Sequence, residues 1–236
     1  MNWLAWFRRK PSLDAAQAAT LERYRLLPEP DPAAALRTQR ALVVDVEASG
    51  LDPLRDRLIS IGAIGVRAGL AHHDDAFEVV LRQEAPSGEA NILVHRIGAS
   101  AQLEGRDPAA GLLDFLAFAG KAPLVAFHAA FDRILIERAT TAALGMKARN
   151  RWLDLALVVP ALFPDQPEPK RGLDDWLQRF GIENYDRHNA LADAFATAQL
   201  LLVAIAEADR QGFVTWAQLS RLQESQRWLS GARRVF

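Results

Sequence analysis

Two acidic side chains, Asp45 and Glu47, stand at the end of an apolar stretch that begins at Leu42. A continuous apolar run with β-branched valines, closed by Gly50, predicts a strand that is buried on both faces. Side chains on a strand alternate between its faces, so both carboxylates project from the same face. Such a pair repels and loses hydration, and a divalent cation bound through oxygen, such as Mg²⁺, would neutralise it. The alternative is an edge strand whose acids simply face water.

A third acid, Asp132, follows a predicted strand at 124–127 and lies at the start of a helix that carries Ile134 and Leu135. Ligands of α/β sheets gather beyond the carboxyl ends of the strands, so this position favours a functional acid. The alternative is that Asp132 only complements the positive end of the helix dipole.

His188 and Asp193 flank the start of a long apolar helix that is predicted to run towards Ala208. Asn189 is a suitable N-cap, which places His188 on the preceding loop and Asp193 in about the first turn of the helix. From that loop, the histidine would lean over the site that Asp193 ligates.

Other histidines give weaker signals. His72 and His73 precede two aspartates at a predicted hairpin tip, where a solvated turn is a better interpretation than a metal cluster. His95 has no nearby acidic or histidine partner in the sequence and is interpreted as a packing or capping residue.

Short strands and helices alternate around these residues, which predicts an α/β fold. Further strands are predicted at 58–66 and 77–81, a strand or helix start at 152–155, and helices at 92–97, 108–118, 173–180 and 213–236. A proline-bearing loop is predicted from Pro160 to Pro169.

Composition limits the classes of function. The 236 residues, half of them hydrophobic, can bury a sizeable core, and the net charge of -1 gives no sign of a globally basic nucleic-acid binder. The absence of cysteine excludes disulfides and thiolate metal sites and fits a reducing compartment. No stretch reaches the ~18 apolar residues of a membrane span, and the start lacks a signal-peptide pattern, so a cytoplasmic protein without membrane contact is expected.

Three segments are predicted along the chain. Residues 1–40 form an N-terminal extension, with a helix from about Ser12 to Leu27 and a proline-rich linker. Its aromatic and basic start would pack back on the domain, or alternatively bind a membrane surface or a partner. Residues 41–210 form the main domain, and residues 211–236 form a C-terminal helical extension.

Taken together, these signals resemble the DEDDh exonucleases, the family that includes the proofreading epsilon subunit of bacterial DNA polymerase III. The matching residues are Asp45 and Glu47 in VDVEASGL, Asp132 after Phe131, and His188 with Asp193 in HNALADA. The resemblance covers residues 40–210, and it includes the segments ISIGA at 59–63, Asp154 and GLD at 172–174.

The chain departs from the family pattern at two places. The family usually has threonine where this chain has Ala48, and often His-Asn where it has Phe127-His128. Neither position supplies an acidic ligand, so the departures concern substrate preference more than chemistry.

The resemblance implies a ribonuclease H-like three-layer fold with a mixed central β-sheet flanked by helices. It also implies phosphodiester hydrolysis with two Mg²⁺ or Mn²⁺ ions per active site. Asp45, Glu47 and Asp193 would hold the first ion. Asp45 would bridge to the second, which Asp132 would support. His188 would accept the proton of the attacking water, since imidazole titrates near neutral pH.

The substrate expected from the resemblance is a single-stranded 3′ end of nucleic acid, DNA in the first place, cut in the 3′-5′ direction to nucleoside 5′-monophosphates. Ser49, Gly50 and Leu51 would lie along the terminal nucleotide, with Leu51 or Phe131 against a base and His128 on the substrate side. A polymerase or another protein partner fits this activity, as do DNA repair and the degradation of oligonucleotides.

Three alternatives stay open at this stage. An RNA-directed enzyme of the same group, such as an oligoribonuclease, would share the motif. A catalytically silent nucleic-acid-binding module is disfavoured because converging carboxylates without metal would be costly. A phosphatase with an acidic pocket is disfavoured by the position of His188 and by the lack of an evident phosphoaspartate-type motif.

Overall fold

The computed structural model describes residues 13–164 and 172–232, which form a five-stranded mixed sheet with helices on both faces. The strands are β1 (Ala41–Ala48), β2 (Leu58–Arg67), β3 (Leu70–Val80), β4 (Leu124–Ala126) and β5 (Trp152–Asp154). Their order is β3-β2-β1-β4-β5, with the first two pairings antiparallel and the last two parallel. The predicted mixed central sheet is confirmed, and β1 lies at its centre, so the alternative of an edge strand is wrong.

Side-chain alternation along β1 divides the interior into two cores. Ala41 and Val43 face one core, and Leu42 and Val44 face the other. These four side chains are at most 1% exposed, and burial of a large aliphatic side chain stabilises by ~1.5–3 kcal/mol. A slip of one residue would exchange the two faces and drive Asp45 into the opposite apolar core, so the register is strongly specified.

Nine helices lie within the described ranges. They are α1 (Ala15–Leu26), α2 (Glu89–His95), α3 (Ala99–Leu103), α4 (Pro108–Ala119), α5 (Ala130–Leu144), α6 (Leu155–Leu162), α7 (Leu173–Arg179), α8 (Ala190–Arg210) and α9 (Trp216–Ala232). Buried residues of α1, α4 and α5 complete the core on one face of the sheet. Those of α6, α7, α8 and α9 complete the core on the other face, which gives three layers.

By length and composition alone, the long helix α8 is also apolar enough to cross a membrane, although no membrane span was predicted. However, 56% of its most apolar window is buried inside the protein. It packs on β1, β2 and β3 and against α6 and α7. Core packing therefore explains its composition.

Two predicted elements are corrected by the structure. Pro160 lies inside α6, although a loop was predicted to begin there. Burial of Leu155, Val158, Val159 and Leu162 offsets the ~3 kcal/mol that an interior proline costs a helix. The end of that predicted loop lies outside the described residues.

The hairpin between β2 and β3 turns at Ala68 and Gly69, which both have positive φ angles. His72 and His73 therefore lie on β3 and not at the hairpin tip, which corrects the predicted start of this strand at residue 77. The ring of His73 lies 4.5 Å from that of Phe195 on α8. The contact with Phe195 accounts for the position of the His73 ring without a metal ion.

The described parts of the predicted extensions pack on the domain. Leu21 and Tyr24 of α1 are buried against the core of the α4 face, and the Tyr24 hydroxyl donates to Asn150 Oδ1 at 2.9 Å. Helix α1 is capped by Asp14, while Ser12, the predicted cap, lies outside the described residues. Helix α9 packs against α6 and β5. The domain boundaries at residues 40 and 210 stay predictions.

Candidate active site

Asp45 and Glu47 lie on the face of β1 that α8 covers. They continue the alternation of Ala41 and Val43 at the point where the apolar core ends. Carboxylate oxygens of Asp45, Glu47 and Asp193 lie within 4.8 Å of one another. The acids of β1 and of α8, which are far apart in sequence, therefore share one pocket.

Asp193 reaches this pocket because α8 begins directly against β2. Gly62 of β2 is the cross-strand partner of Asp45, and a Cβ atom on Gly62 would lie 2.2 Å from the carbonyl carbon of Ala190. Only glycine permits so close an approach of two backbones. Asn189 caps the helix as predicted, since its side chain accepts the backbone N–H of Ala192 at 3.0 Å. The first turn of α8 is thereby fixed with Asp193 buried against the strand.

Asp132 approaches from α5, in the first turn of that helix, and is 5% exposed. Strand β4 ends at Ala126 and pairs with β1 at Leu42 and Val43, so among the described residues no strand lies beside the later part of this edge of β1. The carboxylate of Asp132 accepts a backbone hydrogen bond from Val46. Asp132 therefore sits beside Asp45 at the end of the parallel strands, as predicted.

The pocket carries an excess of negative charge. Burial, followed by repulsion from Asp132 and Asp193, raises the pKa of Asp45 well above its usual range. Burial, followed by repulsion from Asp193, raises the pKa of Glu47 to about 8. Burial raises the pKa of Asp132 to about 7, against the effect of its backbone hydrogen bonds. A positive charge in the pocket would favour the ionised form of each acid.

Three groups that were not predicted from the sequence donate hydrogen bonds to Asp193. The Arg187 guanidinium donates to Oδ2 at 2.7 Å, and the backbone N–H of His188 donates to the same oxygen at 3.1 Å. The amide of Asn184 donates to Oδ1. All three come from the loop before α8, which has no periodicity to mark it. The only signal in the sequence was an arginine directly before His188.

His188 lies in a turn before α8, with φ +64° and an exposed side chain. Its backbone N–H donates to Asp193 Oδ2 at 3.1 Å, which holds the residue beside the acidic pocket. The predicted position on a loop is correct, whereas the role of its imidazole stays a prediction.

The loop after β1 carries the predicted substrate contacts Ser49, Gly50 and Leu51. Asp56 organises it, since it accepts the Ser49 hydroxyl at 3.0 Å, and a Cβ atom on Gly50 would lie 2.5 Å from its Oδ2. The Ser49 hydroxyl also accepts the N–H of Arg57 at 3.0 Å. Leu51, by contrast, is 93% exposed. The serine therefore shapes the loop, and the leucine is the side chain presented to solvent.

His128 and Phe131, the other predicted substrate contacts, lie around the start of α5. His128 is exposed with φ +64°, and its backbone N–H donates to Asp154 Oδ1 at 2.9 Å. Phe131 is partly buried and packs against the core of the α4 face. Of the two residues predicted to wedge against a base, Leu51 is thus the freer one.

Residues 42–201 match the sequence model of the RNase_T family, which is described as exonuclease. Similar proteins include a DNA polymerase III PolC-type of Bacillus subtilis (strain 168), 29% identical over 178 residues that make up 75% of this chain and 12% of the relative. The DNA polymerase III subunit epsilon of Aquifex aeolicus (strain VF5) is 26% identical over 191 residues, which make up 78% of this chain and 89% of that protein. The chain spans 11 to 14% of the length of the PolC-type relatives it matches.

Among solved structures, the chain resembles E. coli Exonuclease I in complex with a dT13 oligonucleotide. The TM-score is 0.60 at 18% identity, and the match covers 74% of this chain and 42% of that one. This likeness confirms the predicted ribonuclease H-like three-layer fold.

Proposed function

Because the RNase_T model matches about two thirds of it, the chain belongs to the RNase_T exonuclease family, and we propose that it hydrolyses DNA from the 3′ end with divalent metal ions. The products would be nucleoside 5′-monophosphates. The observation that carries the proposal is the convergence of Asp45, Glu47 and Asp193 within 4.8 Å, with Asp132 beside them.

The donor set fits Mg²⁺ or Mn²⁺. Hard cations prefer oxygen ligands, and all the acids that meet in the pocket offer carboxylate oxygens. Their mutual repulsion, which raises the pKa values of Asp45 and Glu47, is what a bound cation would relieve. Asp45, Glu47 and Asp193 would hold one ion, and Asp45 with Asp132 would hold a second. Bound there, the ions would activate water and stabilise the charge on the phosphate and on the leaving oxygen.

His188 would act as the general base. It lies in the turn directly before α8, with its backbone hydrogen-bonded to Asp193 and its side chain exposed to solvent. An imidazole in this position would take a proton from the attacking water and release it to solvent. His188→Ala is expected to reduce the rate severely while Mn²⁺ binding is largely retained.

The rim of the pocket would receive an unpaired 3′ end. Leu51 is 93% exposed on a loop that Asp56 and Gly50 hold in a tight shape, and an apolar side chain can pack on any base without reading the sequence. DNA is proposed as the substrate because the names of the relatives refer to DNA polymerase III and that of the structural neighbour to a dT13 oligonucleotide. The same names support an association with a DNA polymerase, which co-purification would test.

The experiment uses the full chain with a single-stranded DNA labelled at its 3′-terminal nucleotide, in Mg²⁺, in Mn²⁺ and in EDTA. We expect release of the labelled 5′-monophosphate with either metal and none in EDTA. Asp45→Asn should abolish the release, whereas Asp114→Asn, which removes an exposed carboxylate paired with Arg106 on the surface, should not. Matched RNA oligomers run in parallel, and faster cleavage of RNA would overturn the choice of DNA. An intact DNA strand under conditions where a known exonuclease digests it would overturn the proposal.

A further inference from the structure

One positive side chain, Arg187, lies within the acidic pocket and bridges two carboxylates. It donates from Nη1 to Asp193 Oδ2 at 2.7 Å and from Nε to Asp174 Oδ1 at 2.8 Å. The two partners differ in exposure, since the side chain of Asp193 is 5% exposed and that of Asp174 is 67% exposed. The guanidinium therefore links the buried acid of the pocket to a solvent-facing acid on α7.

Arg187 contacts Asp193, one of the acids proposed to hold a metal ion. Oδ2 of Asp193 accepts from Arg187 and from the backbone of His188, and Oδ1 accepts from Asn184. Both oxygens of this carboxylate are thus engaged by N–H donors. A divalent cation bound through Asp193 would meet a like charge at hydrogen-bond distance from the same carboxylate, and such charges repel strongly in a partly buried site.

Asp174 provides a place to which the guanidinium can withdraw. It contacts Arg187 Nε and Nη2 through both carboxylate oxygens, at 2.8 and 3.2 Å, whereas Asp193 is bound by Nη1. Arg187 also influences the rest of the pocket, because its charge opposes the upward shift of the pKa values of Asp45 and Glu47. Arginine suits this position, since its planar fork can bind two carboxylates at once.

We propose that Arg187 is the resident counter-cation of the pocket, which competes with the divalent ion for Asp193 and is drawn onto Asp174 when the ion binds. Arg187 is thus a positioning residue and not a catalytic one. It stabilises the folded chain before metal binding and sets the concentration of metal at which the site fills. This inference rests on the proposed function, because it requires that Asp193 ligates a metal ion.

The test measures Mn²⁺ binding to the chelator-treated full chain by isothermal titration calorimetry. Arg187→Gln keeps a hydrogen-bonding side chain and removes the charge, and it should bind Mn²⁺ at least about fivefold more tightly. Before Mn²⁺ is added, the same variant should melt at a lower temperature than the wild type, because the acids then lack their counter-charge. Unchanged or weaker Mn²⁺ binding by Arg187→Gln would overturn the inference.

A second pair of variants keeps the test decisive if Arg187→Gln does not fold. Asp174→Asn should weaken Mn²⁺ binding by about twofold or more, since the guanidinium loses its alternative partner. The matched control is Asp175→Asn, which removes the same charge one residue further along α7 and leaves an amide oxygen to accept the N–H of Gly172, as Asp175 does at 2.9 Å. Equal effects of the two substitutions would refute a specific role for Asp174. Where Arg187→Gln does fold, the effect of Asp174→Asn on Mn²⁺ binding should be smaller in that background.

The outcomes also separate this inference from the proposed function. A wild-type chain that binds no Mn²⁺ overturns the proposed function and the role of Arg187 with it. A wild-type chain that binds Mn²⁺ and cuts DNA, together with an Arg187→Gln variant that binds no more tightly, overturns only the role of Arg187.

Discussion

Gly62→Ala should displace the first turn of α8 and so separate Asp193 from β1. The new methyl group would stand 2.2 Å from the carbonyl carbon of Ala190 and 2.2 Å from the amide nitrogen of Leu191, whereas ordinary contact begins at 3.4 Å. Both neighbours are backbone atoms, which cannot turn aside as a flexible side chain would. The helix must therefore retreat by about 1.2 Å, which is the difference between those distances.

That retreat has two measurable costs. Forcing an extra methyl group into a packed interior destabilises by ~1–3 kcal/mol, and a chain of this size loses ~2–4 °C of melting temperature per kcal/mol. The second cost concerns the pocket, because a misplacement of ~1 Å can lower a rate by ~10²-fold. We therefore expect a moderate fall in the melting temperature together with a loss of Mn²⁺ affinity and a fall of about two orders of magnitude in the rate of DNA cleavage.

The assays are thermal unfolding, Mn²⁺ titration and cleavage of 3′-labelled single-stranded DNA. Gly98→Ala is the control, because a Cβ atom there would have no neighbour within 4 Å; it should retain the rate and the metal affinity. A Gly62→Ala variant that is less stable but cuts at the normal rate would refute the argument that this glycine positions Asp193. A variant with unchanged stability would refute the geometry itself.

Four further predictions concern charge, the helix cap and the rim. In EDTA, the free energy of unfolding should fall as the pH rises from about 5 to 8. The folded chain retains protons on Glu47 and Asp132, whose pKa values are about 8 and 7, whereas the unfolded chain has released them. Urea titrations in Mn²⁺ should show no such dependence on pH, and a rise of stability with pH in EDTA would contradict the electrostatics. Asp132→Asn should raise the melting temperature in EDTA at pH 8 while it lowers the rate of cleavage, and a fall in both would refute the assigned repulsion. Asn189→Ala should cost ~1 kcal/mol in urea unfolding, whereas Asn189→Asp should cost much less. Leu51→Ala should leave stability within ~0.5 kcal/mol and raise KM for single-stranded DNA, so an unchanged KM would remove Leu51 from the proposed substrate contacts.

Structural features could be predicted from the sequence where they depend on interactions between residues close together in the chain. The alternation of apolar residues in β1 predicted that Asp45 and Glu47 share a face, since strand geometry depends only on neighbouring residues. The N-cap at Asn189 was predictable for the same reason, because its side chain bonds the N–H of Ala192, three residues ahead. Both features required no knowledge of the rest of the chain.

Tertiary packing decided the elements that the sequence did not predict. Pro160 normally ends a helix, yet α6 continues through it because the apolar side of the helix is buried in the core. The two histidines at the start of β3 read as a polar turn, but pairing with β2 extends that strand to Leu70. In both cases a long-range contact outweighs the local preference.

The role of Gly62 could be predicted from the sequence only in part. A glycine within a strand indicates a close approach by another backbone or a bulge, and this one stands in the apolar run of β2, where a side chain would otherwise add to the core. The sequence therefore indicated either a close approach or a bulge at residue 62. It did not identify α8 as the neighbour, because the start of that helix is more than a hundred residues away in the chain.

Because Arg187 pairs with Asp193, the convergence of the acids does not by itself imply tight binding of a metal ion. Converging carboxylates must be neutralised, and from the sequence alone this requirement pointed to divalent cations only. A guanidinium of the same chain supplies part of the neutralisation, so the acids by themselves do not measure how tightly a metal is held. Metal affinity must instead depend on the difference in binding free energy between the divalent ion and the Arg187 guanidinium at the Asp193 carboxylate. A relative that retains the four acids but lacks a basic residue before the histidine should therefore bind Mn²⁺ more tightly than this chain.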